Sequence, residues 1–515
     1  MTAARVDRES DTTREVLIGG REAPKPEARE GQDRAGGDGG RARKTYETGV
    51  IPVEERGPSS RSTQYVVKGP EIGSMILKPP ESVQKLQTAL QAKAKGSPGY
   101  RFYLLYDKLY RKDVLEYAYR CCKANHGAPG VDQQDFADIE AYGEERWLGE
   151  LADRLRRKTY RAEAVRRVWI PKPGGKKRPL GIPCLVDRTV MTAAVAVIAP
   201  IFEADMPAEQ HGYRANFSAH TAVRSVHSLI NTGHMQIIEG DLAGYFDSIP
   251  HAELLKSVAR RVSDRHLLHL IKMWLDAPVE EDDGKGGKKR TTPTKDSGRG
   301  VPQGSPLSPL LGNLYMRRFV LGWKQRGVEK RLRAKIVSYA DDYVICCKGS
   351  AAEAMTEMRW MMQRLKLTIN EAKTRVCQLP NERFDFLGYT FGRCYSAETG
   401  RAYLGTRPSK KSLSRIIEAI HGCTAERLTW QDADALITQI NGKLIGWANY
   451  FSLGPVSKAY HAIEEYTKRR LRRWLRMKHK VRNTGWRTYP DDYLHDRLGL
   501  VRLCQRTQNL PWAKA

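Results

Sequence analysis

Two apolar segments that each run into acidic residues dominate the hydrophobic pattern of this chain. Residues 335–348 read KIVSYADDYVICCK, with apolar and β-branched residues on both sides of a short acidic centre. This pattern predicts two strands joined by a tight turn, with Asp341 and Asp342 at its tip. Residues 235–249 read MQIIEGDLAGYFDSI, a second apolar run that stops at Asp241. If these strands lie side by side in one sheet, Asp241 and Asp341 converge on one point.

Carboxylates at the ends of hydrophobic strands are unfavourable as core residues but suit hard divalent cations. Mg²⁺ takes oxygen ligands and is usually held by one or two carboxylates together with substrate phosphates. Two such ions, about 4 Å apart, clamp the attacking and leaving oxygens in polymerase chemistry. When Asp341 and Asp342 are taken alone, the alternative of a solvated, Asp-rich hairpin turn is the favoured one. The third carboxylate, Asp241, favours the metal site.

The periodicity of the remaining chain predicts helices around these strands. Apolar residues recur at helical spacing over residues 83–119, 187–202, 218–230, 254–262, 352–367 and 436–451. Residues 166–183 predict a hairpin of two short strands, with Lys172 and Arg178 on facing sides of its Pro-Gly-Gly turn. The polar, Gly-rich segment Glu280–Gly300 has no periodicity and predicts a mobile surface loop.

Composition adds one strong signal, because the chain is very basic. Its 515 residues include 87 Lys and Arg against 59 Asp and Glu, which gives a formal net charge of +28 and a sequence pI near 9.7. This excess predicts a polyanionic partner, bound through the release of counterions from phosphates. A basic but otherwise ordinary protein is the alternative. The length fits about two to four domains, and 40% hydrophobic residues suffice for a core.

Several classes of protein are disfavoured by local composition. Residues 1–65 are rich in Gly and charged residues, which predicts a disordered, basic tail. The nine cysteines lack C-x-x-C spacing, which argues against a zinc module and a disulfide framework. The longest uncharged apolar run, Val190–Phe202, is too short to span a bilayer, and the N-terminus has no apolar signal core. We therefore expect an intracellular protein without a membrane partner.

A series of short segments between residues 127 and 390 resembles, in order, the conserved blocks of reverse transcriptases of the group II intron type. The segments are Gly127–Asp132, Arg166–Pro183, Gly212–Arg214, the Asp241 run, Val301–Leu311, Tyr339–Asp342, Asn370–Thr374 and Phe386–Tyr389. The fifth block departs from the pattern, because Ser-Pro-Leu-Ser-Pro follows Pro-Gln-Gly where relatives often carry Gly-Val-Ile-Ser-Pro. The departure weakens assignment to a subclass. Asn441–Phe451 resembles the thumb or maturase domain of the same proteins.

The resemblance implies an α+β fold shaped like a right hand. It places fingers with an N-terminal extension at residues 80–235 and a palm with an antiparallel sheet at residues 236–395. A helical thumb and maturase region is expected at residues 405–515, with the disordered tail at residues 1–65. A C-terminal endonuclease domain with His and Cys clusters is not expected.

The resemblance also implies roles for particular residues. Asp241, Asp341 and Asp342 are the expected catalytic residues, and together with Leu242 they are the expected ligands of two Mg²⁺ ions, for which Mn²⁺ can substitute. The expected nucleotide-binding residues are Lys172, Arg178, Phe246, Gln303, Gly304 and Lys373. The family's Phe at position 246 crowds the sugar 2′ position, although a buried core Phe is an equal alternative. A solvated basic loop is the alternative for Lys172 and Arg178, and Arg214 is expected to be structural.

The last third of the chain contains a strongly cationic helical segment. Residues 468–480 place Leu471, Trp474 and Leu475 on one face, while the other sides are basic. This helix is expected to offer a positive surface to RNA phosphates, with Trp486 and Tyr489 nearby for stacking. The expected RNA-binding residues are Lys468, Arg469, Arg470, Arg472, Arg473, Arg476, Lys478 and Lys480. A solvated basic helix is the alternative.

Together these features imply an RNA-directed DNA polymerase that copies intron RNA into cDNA and acts as a maturase for its host group II intron. The expected partners are the intron RNA, a DNA target or primer, and dNTPs, in the bacterial cytoplasm or nucleoid. Two alternatives stay open: an RNA-binding splicing factor with an inactive palm, and a retron-like or defence-associated reverse transcriptase. The sequence leaves the oligomeric state, the DNA target and the source of the primer open.

Overall fold

A computed structural model describes residues 77–171, 177–283, 287–396 and 399–507. All of them belong to one unit of the chain, Arg61–Ala515. The predicted disordered tail at residues 1–65 and the predicted nucleotide ligand Lys172 lie outside the described residues.

The N-terminal part is helical, as its apolar spacing predicts. The helices are α1 (Glu81–Gly96), α2 (Tyr106–Leu109), α3 (Lys112–Ala124), α4 (Phe136–Tyr142) and α5 (Glu144–Arg156). Asp135 begins α4 through a capping box, in which its carboxylate accepts from the Asp138 N–H while the Asp138 side chain accepts from the Asp135 N–H. α1, α2 and α3 pack against the apolar helix Leu185–Glu203, and α5 packs against α3 and α4.

The fingers hairpin is present and leads into that core helix. The elements are β1 (Val165–Pro171), β2 (Lys177–Ile182), α6 (Leu185–Glu203) and α7 (Ala219–Asn231). β1 and β2 are antiparallel, and Arg178 pairs with Ile170 across the hairpin. α6 is long and apolar enough to cross a membrane by length and composition, but 89% of its apolar window is buried inside the protein. It is a core helix, as predicted for Val190–Phe202.

The chain then alternates between the first palm strand and supporting helices. The elements are β3 (Gln236–Gly240), α8 (Tyr245–Ser248), α9 (His251–Ala259), α10 (Arg265–Leu275), β4 (Val279–Asp282), β5 (Lys288–Thr291) and α11 (Pro293–Ser297). Pro250 precedes the first residue of α9, where its missing N–H is not needed. Leu254 and Val258 are buried on the inner face of this helix.

The prediction of a mobile loop over Glu280–Gly300 is wrong for the described residues. β4 and β5 form an antiparallel hairpin, and β4 also pairs in parallel with β1, which gives the sheet order β2-β1-β4-β5. Charge pairing across the strands replaces apolar packing: Glu280 lies 2.8 Å from Arg290 and 3.1 Å from Lys288. Because a polar, two-sided hairpin has no hydrophobic period, the apolar pattern did not reveal it.

The second half of the palm completes the sheet that carries the acidic residues. The elements are α12 (Ser308–Gln325), α13 (Val328–Arg331), β6 (Ala334–Tyr339), β7 (Asp342–Cys347), α14 (Ala351–Arg364) and β8 (Arg375–Gln378). The strand order is β6-β7-β3-β8. The prediction that the two acidic segments lie side by side is confirmed, because β3 and β7 are antiparallel neighbours.

The palm sheet is buried on both faces, which explains its nearly unbroken apolar runs. Tyr343 and Ile345 of β7 point into the large core that the helices share, whereas Val344 and Cys346 point into a second core. Alternate side chains of a strand face opposite sides of the sheet, so both sets of side chains must be apolar when both faces are buried. The register of β7 is fixed because a slip by one residue would move a whole row of side chains to the other face.

The C-terminal region follows a small three-stranded sheet. The elements are β9 (Phe384–Phe386), β10 (Tyr389–Tyr395), β11 (Ala402–Pro408), α15 (Lys410–Cys423), α16 (Ala433–Tyr450) and α17 (Ser457–Lys478), with short helical turns at Glu426–Leu428, Tyr493–Arg497 and Cys504–Thr507. The predicted helical region begins at residue 405, but β11 continues to Pro408 because it pairs with β10 along its full length. Ile440 and Leu444 of α16 lie in a separate helical core.

All nine cysteines are free thiols, and seven of them are buried. This agrees with the prediction that the cysteines do not form a disulfide framework.

One buried acid makes the stability of the fold depend on pH. Asp187 in α6 is 1% exposed, and its carboxylate accepts from the Tyr160 hydroxyl at 2.6 Å and from the Glu163 N–H at 3.0 Å. Burial raises the pKa of Asp187 from 3.8 to about 6, although both hydrogen bonds act in the opposite direction. The folded state therefore binds this proton more tightly than the unfolded state does.

We predict that the contribution of Asp187 to the free energy of unfolding decreases as pH rises. Its contribution is fully present below about pH 4 and is lost through about pH 6, since the native pKa is the higher one. The loss amounts to about 3 kcal/mol, from about 1.4 kcal/mol for each pKa unit. Urea unfolding of the unmutated protein and Asp187→Asn at pH 4.5 and 7.5 measures this contribution. A difference between the two proteins that is equal at both pH values would contradict the prediction.

Candidate active site

The strand pairing brings three acidic residues to one edge of the palm sheet. Gly240, the last residue of β3, pairs with Tyr343, and Tyr339 pairs with Asp342 across the β6–β7 turn. Asp241 follows Gly240 directly, so it leaves the sheet beside this turn. Ala340, at the first turn position, has a φ of +58°, the left-handed conformation that tight two-residue hairpin turns require. The predicted position of Asp341 and Asp342 at the turn is confirmed.

The carboxylates are partly solvated, and their charge reaches nearby buried phenols. The Asp241 side chain is 32% exposed, Asp341 is half-buried and Asp342 is exposed. Burial raises the pKa of Tyr245, and the charge of Asp341 raises it further. Burial also raises the pKa of Tyr343, with a smaller contribution from Asp241. The edge of the sheet is therefore a region of negative potential next to an apolar wall.

Asp241 is held by the segment that precedes β8. Its carboxylate accepts from Asn370 Nδ2 at 2.8 Å and from Lys373 Nζ at 3.2 Å, and its main-chain oxygen accepts from the Asn370 N–H at 2.8 Å. The Asp241 N–H donates to Thr374 Oγ1 at 3.3 Å. Lys373 is in contact with a catalytic candidate, as expected of it. Asn370 and Thr374 were not predicted as site residues, although both belong to the segment Asn370–Thr374 that resembles a family block.

The predicted metal ligands share one edge of the sheet but are not assembled into a cluster. Across residues 77–171, 177–283, 287–396 and 399–507, no group of three or more His, Cys, Asp or Glu side chains is placed to hold an ion. Carboxylates repel one another, and Asp241 is drawn to Lys373 and Asn370 instead. The ligand type nevertheless fits, since partly solvated carboxylate oxygens suit a hard divalent cation. Leu242 is 7% exposed and has no ligating side-chain atom, so only its main chain is suitable.

A chain of hydrogen bonds connects the fingers to this part of the palm. Arg178 Nε donates to Gln303 Oε1 at 2.8 Å, and Gln303 Nε2 lies 3.3 Å from both carboxylate oxygens of Asp247. Asp247 belongs to α8, the short helix that follows Asp241. The arrangement fixes the amide orientation of Gln303, because the carboxylate can only accept. Asp247 is a functional candidate that was not predicted from the sequence, because it reaches Gln303 only through the fold of the short helix α8.

Glycine is needed where the Gln303 loop lies against β2. Gly304 has a φ of +109°, and a Cβ there would lie 2.4 Å from the main-chain oxygen of Gly181. The Gly181 N–H in turn donates to the Gln303 main-chain oxygen at 2.7 Å. The loop and the strand are therefore in direct main-chain contact.

Phe246 lies mainly in the core. It is 9% exposed and packs edge-on against Tyr245, with ring centroids 5.4 Å apart. Its main-chain oxygen accepts from the Val301 N–H at 2.7 Å, which anchors the loop that carries Gln303. These contacts agree with the core alternative, and a role of Phe246 against the sugar 2′ position stays a prediction. Arg214 is structural, as expected: it is 8% exposed and lies 2.6 Å from Glu203.

Half of the predicted RNA-binding cations are engaged inside the protein. Lys468 and Arg472 are 5% and 2% exposed, and both pair with Asp491. Arg470 donates to the main-chain oxygen of Thr424 at 2.8 Å. The fourth such residue, Lys478, donates to the main-chain oxygens of two residues before α16. These four cations tie α17 to its neighbours, so their predicted availability to RNA is corrected.

The other four predicted cations lie along α17 and just past its end. We use the term α17 stripe for Arg469, Arg473, Arg476 and Lys480. The first three recur at intervals of four and three residues and share one face of α17, whereas Lys480 lies two residues past the last residue of the helix. Arg476 is half-buried and the other three are exposed. Trp486 is 55% exposed and lies under the guanidinium group of Arg472 at 3.7 Å. Tyr489 is 5% exposed, so the expectation that it stacks on RNA is wrong in this structure.

Comparisons with known proteins agree with this architecture. A family described as reverse transcriptase (RNA-dependent DNA polymerase) matches residues 170–391, and a group II intron, maturase-specific domain matches residues 413–490. Protein YkfC of Escherichia coli (strain K12) is 32% identical over 64% of this chain and 93% of its own length. The group II intron-encoded protein LtrA of Lactococcus lactis subsp. cremoris is 28% identical, over 56% of each chain.

A putative COX1/OXI3 intron 1 protein of Saccharomyces cerevisiae is 27% identical over 54% of this chain and 38% of its own length. The chain thus spans nearly all of YkfC and about half the length of LtrA. The family expected from the motif blocks is confirmed. The chain belongs to the group II intron-encoded reverse transcriptases, with an RNA-directed DNA polymerase domain followed by a maturase-specific domain.

Proposed function

We propose that the protein copies RNA into DNA at the edge formed by Asp241, Asp341 and Asp342, and that its host intron RNA is the template. The observation that carries this proposal is the pairing of β3 with β7, which places Asp241 beside the Asp341–Asp342 turn. The Arg178–Gln303–Asp247 chain supports it, since donors from the fingers approach the same side of the palm.

Asp241, Asp341 and Asp342 would hold divalent cations, Mg²⁺ or Mn²⁺, with the main-chain oxygen of Leu242 as a further ligand. The ions supply charge neutralisation for the phosphates and for the attacking and leaving oxygens. Lys373 Nζ lies 3.2 Å from the Asp241 carboxylate and holds it in place until a cation competes for the same oxygen. Released from that contact, the ammonium is positioned to donate a proton to the leaving pyrophosphate.

The fingers and the Gln303 loop would bind the incoming dNTP. Arg178, together with the residue predicted from the sequence, Lys172, would supply positive charge to the triphosphate, and the guanidinium fork of Arg178 directs its donors. Asp247 keeps Gln303 in one orientation, and Gly304 lets the main chain approach the nucleotide. This is a positioning task, and positioning is a large part of catalysis in phosphoryl transfer.

The maturase domain would clamp intron RNA through the α17 stripe. Three of its four cations share one face of α17, and Lys480 follows the helix. The cations that hold α17 to its neighbours, such as Lys468 and Arg472, are different residues. RNA phosphates recognise such a row electrostatically, while Trp486 offers an exposed ring for stacking. The proposed partners are the intron RNA, a DNA target or primer, and dNTPs. The proposed location is the bacterial cytoplasm or nucleoid.

Asp341→Asn should reduce the rate of Mg²⁺-dependent extension of oligo(dT) on poly(rA) by roughly 10³-fold. The reason is that one ligand charge is removed where phosphate charge must be neutralised. RNA affinity, measured by filter binding, should be unchanged. Asp153→Asn, at an exposed residue of α5 paired with Arg156, is the matched control. If the unmutated protein does not extend the primer, the protein is a splicing factor with an inactive palm.

Asp247→Ala should raise the KM for dTTP about tenfold, equivalent to about 1.4 kcal/mol, and change kcat much less. The reason is that the Gln303 amide loses the acceptor that fixes its orientation. Asp247→Asn keeps one acceptor oxygen and should stay within about threefold of the unmutated KM. Steady-state extension at varied dTTP separates the two constants. A fall in kcat at constant KM would show that Asp247 does not act through nucleotide binding.

Combined Arg469→Gln, Arg473→Gln and Arg476→Gln should weaken RNA binding and reduce its salt dependence. Three lost phosphate contacts reduce the slope of log K against log salt by about 2, at about 0.7 for each contact with single-stranded RNA. Arg470→Gln is the matched control, because Arg470 bonds to Thr424 inside the domain. It should lower thermal stability and leave the slope unchanged. An equal slope for the triple variant and the unmutated protein would rule out the stripe as an RNA contact.

A further inference from the structure

A pocket lies between the end of α6 in the fingers and the palm helices α9 and α12, away from the acidic edge. It has a volume of about 310 Å³, near the lower end of ligand-binding pockets. Its walls come from the end of α6, the second half of α9 and the second half of α12. The lining residues that matter here are Asp205, Lys256, Arg260, Arg261, Arg317 and Arg318.

About half the length of α12 separates Arg317 of the pocket from the candidate active site. The Gln303–Gly304 loop precedes the first residue of this helix, Ser308. Arg317 lies nine residues further along, which corresponds to about 14 Å of helix axis. Neither the acidic edge nor the α17 stripe contributes a residue to the pocket.

Three of the five basic side chains are already satisfied by the protein. Arg261 is 3% exposed, lies 3.2 Å from Asp205 and donates to the main-chain oxygens of residues 94, 97 and 98. Arg318 and Lys256 both pair with Glu253, at 2.9 and 3.1 Å. These residues build the wall of the pocket.

Arg260 and Arg317 differ from the other three. Arg317 Nε donates to the main-chain oxygen of Asp205 at 2.9 Å, but in the described part of the chain neither guanidinium group forms an ion pair with a carboxylate. Burial lowers the pKa of Arg317, and the charges of Arg260 and Arg261 lower it further, against the effect of Asp205. Five basic side chains thus share a concave site with Asp205, whose carboxylate pairs with Arg261 and not with Arg260 or Arg317. Holding these like charges together costs free energy in the empty protein.

We propose that Arg260 and Arg317 form a phosphate-binding site, and that the phosphate belongs to the backbone of bound RNA. Paired guanidinium groups match phosphate oxygens with directed, charge-assisted hydrogen bonds. Lys256 and Arg260 are exposed at the rim, so a polynucleotide can pass over the pocket while one phosphate enters it. The RNA source rests on the maturase function proposed above, whereas the phosphate chemistry does not. A free polyphosphate would use the same two side chains.

The test uses the full chain, EDTA to remove divalent cations, and two probes. Sodium tripolyphosphate should raise the Tm of the unmutated protein, and Arg260→Gln with Arg317→Gln should remove that shift. With poly(rA), the same double variant should lower the slope of log K against log salt by about 1.4, for two contacts at about 0.7 each. Arg260→Glu alone, at an exposed residue, should also remove the Tm shift and lower the slope, and it changes no buried group.

Two controls make the result specific. Glu253→Gln removes a negative charge beside the pocket and should enlarge the tripolyphosphate shift, opposite in sign to the double variant. Asp341→Asn should keep the full shift, so a failed polymerase assay and a failed pocket are distinguishable.

Loss of both the shift and the slope supports the site with RNA as its source. Loss of the shift alone supports the site and assigns it to a free polyphosphate. If the double variant changes neither, or if Arg178→Gln removes the shift instead, the proposal is overturned.

Discussion

The antiparallel register of β3 against β7 determines where every acidic side chain of the site lies. Gly240 pairs with Tyr343, so Asp241 and the Asp341–Asp342 turn leave the sheet at the same edge. The register is held by side chains on both faces, with Ile238 and Ile345 in one core and Ile237 and Cys346 in another. A polymerase site made from distant parts of the chain therefore depends on ordinary hydrophobic packing beneath it.

The polar contacts around that edge hold the remaining side chains of the site in place. Asn370 and Lys373 hold Asp241, while Asp247 holds Gln303, which in turn receives Arg178 from the fingers. Asp241 and Asp247 thus each have a cationic or amide partner that limits their motion. In the maturase domain, Asp491 pairs in the same way with Lys468 and Arg472, the two buried cations of α17. The α17 stripe is thus left for solvent and for the proposed RNA contact.

The sequence predicted the structure correctly where the hydrophobic pattern marks the same strands that lead to the site residues. The strands that end at Asp241 and Asp341 were predictable because both faces are buried and only the tips are acidic. The β4–β5 hairpin was not, since cross-strand pairs such as Glu280 with Arg290 carry no apolar period. The buried state of Lys468 and Arg472 was equally hidden, because their partner Asp491 lies some twenty residues further along the chain. Asp247 escaped notice for a similar reason, as its partner comes from a separate segment.

The large core does not respect the boundary between fingers and palm. It runs without interruption from Val83 in α1 to Leu367 after α14. An exchange of residues 80–235 with a relative would therefore cut through packed side chains and create cavities in both halves. The helical core of α15, α16 and α17 is separate, and it begins after Pro408. The fingers and palm would thus have to be transplanted together between such enzymes, and a maturase graft would have to keep Phe451 and Leu453, which follow α16 and are buried in the second core of the palm.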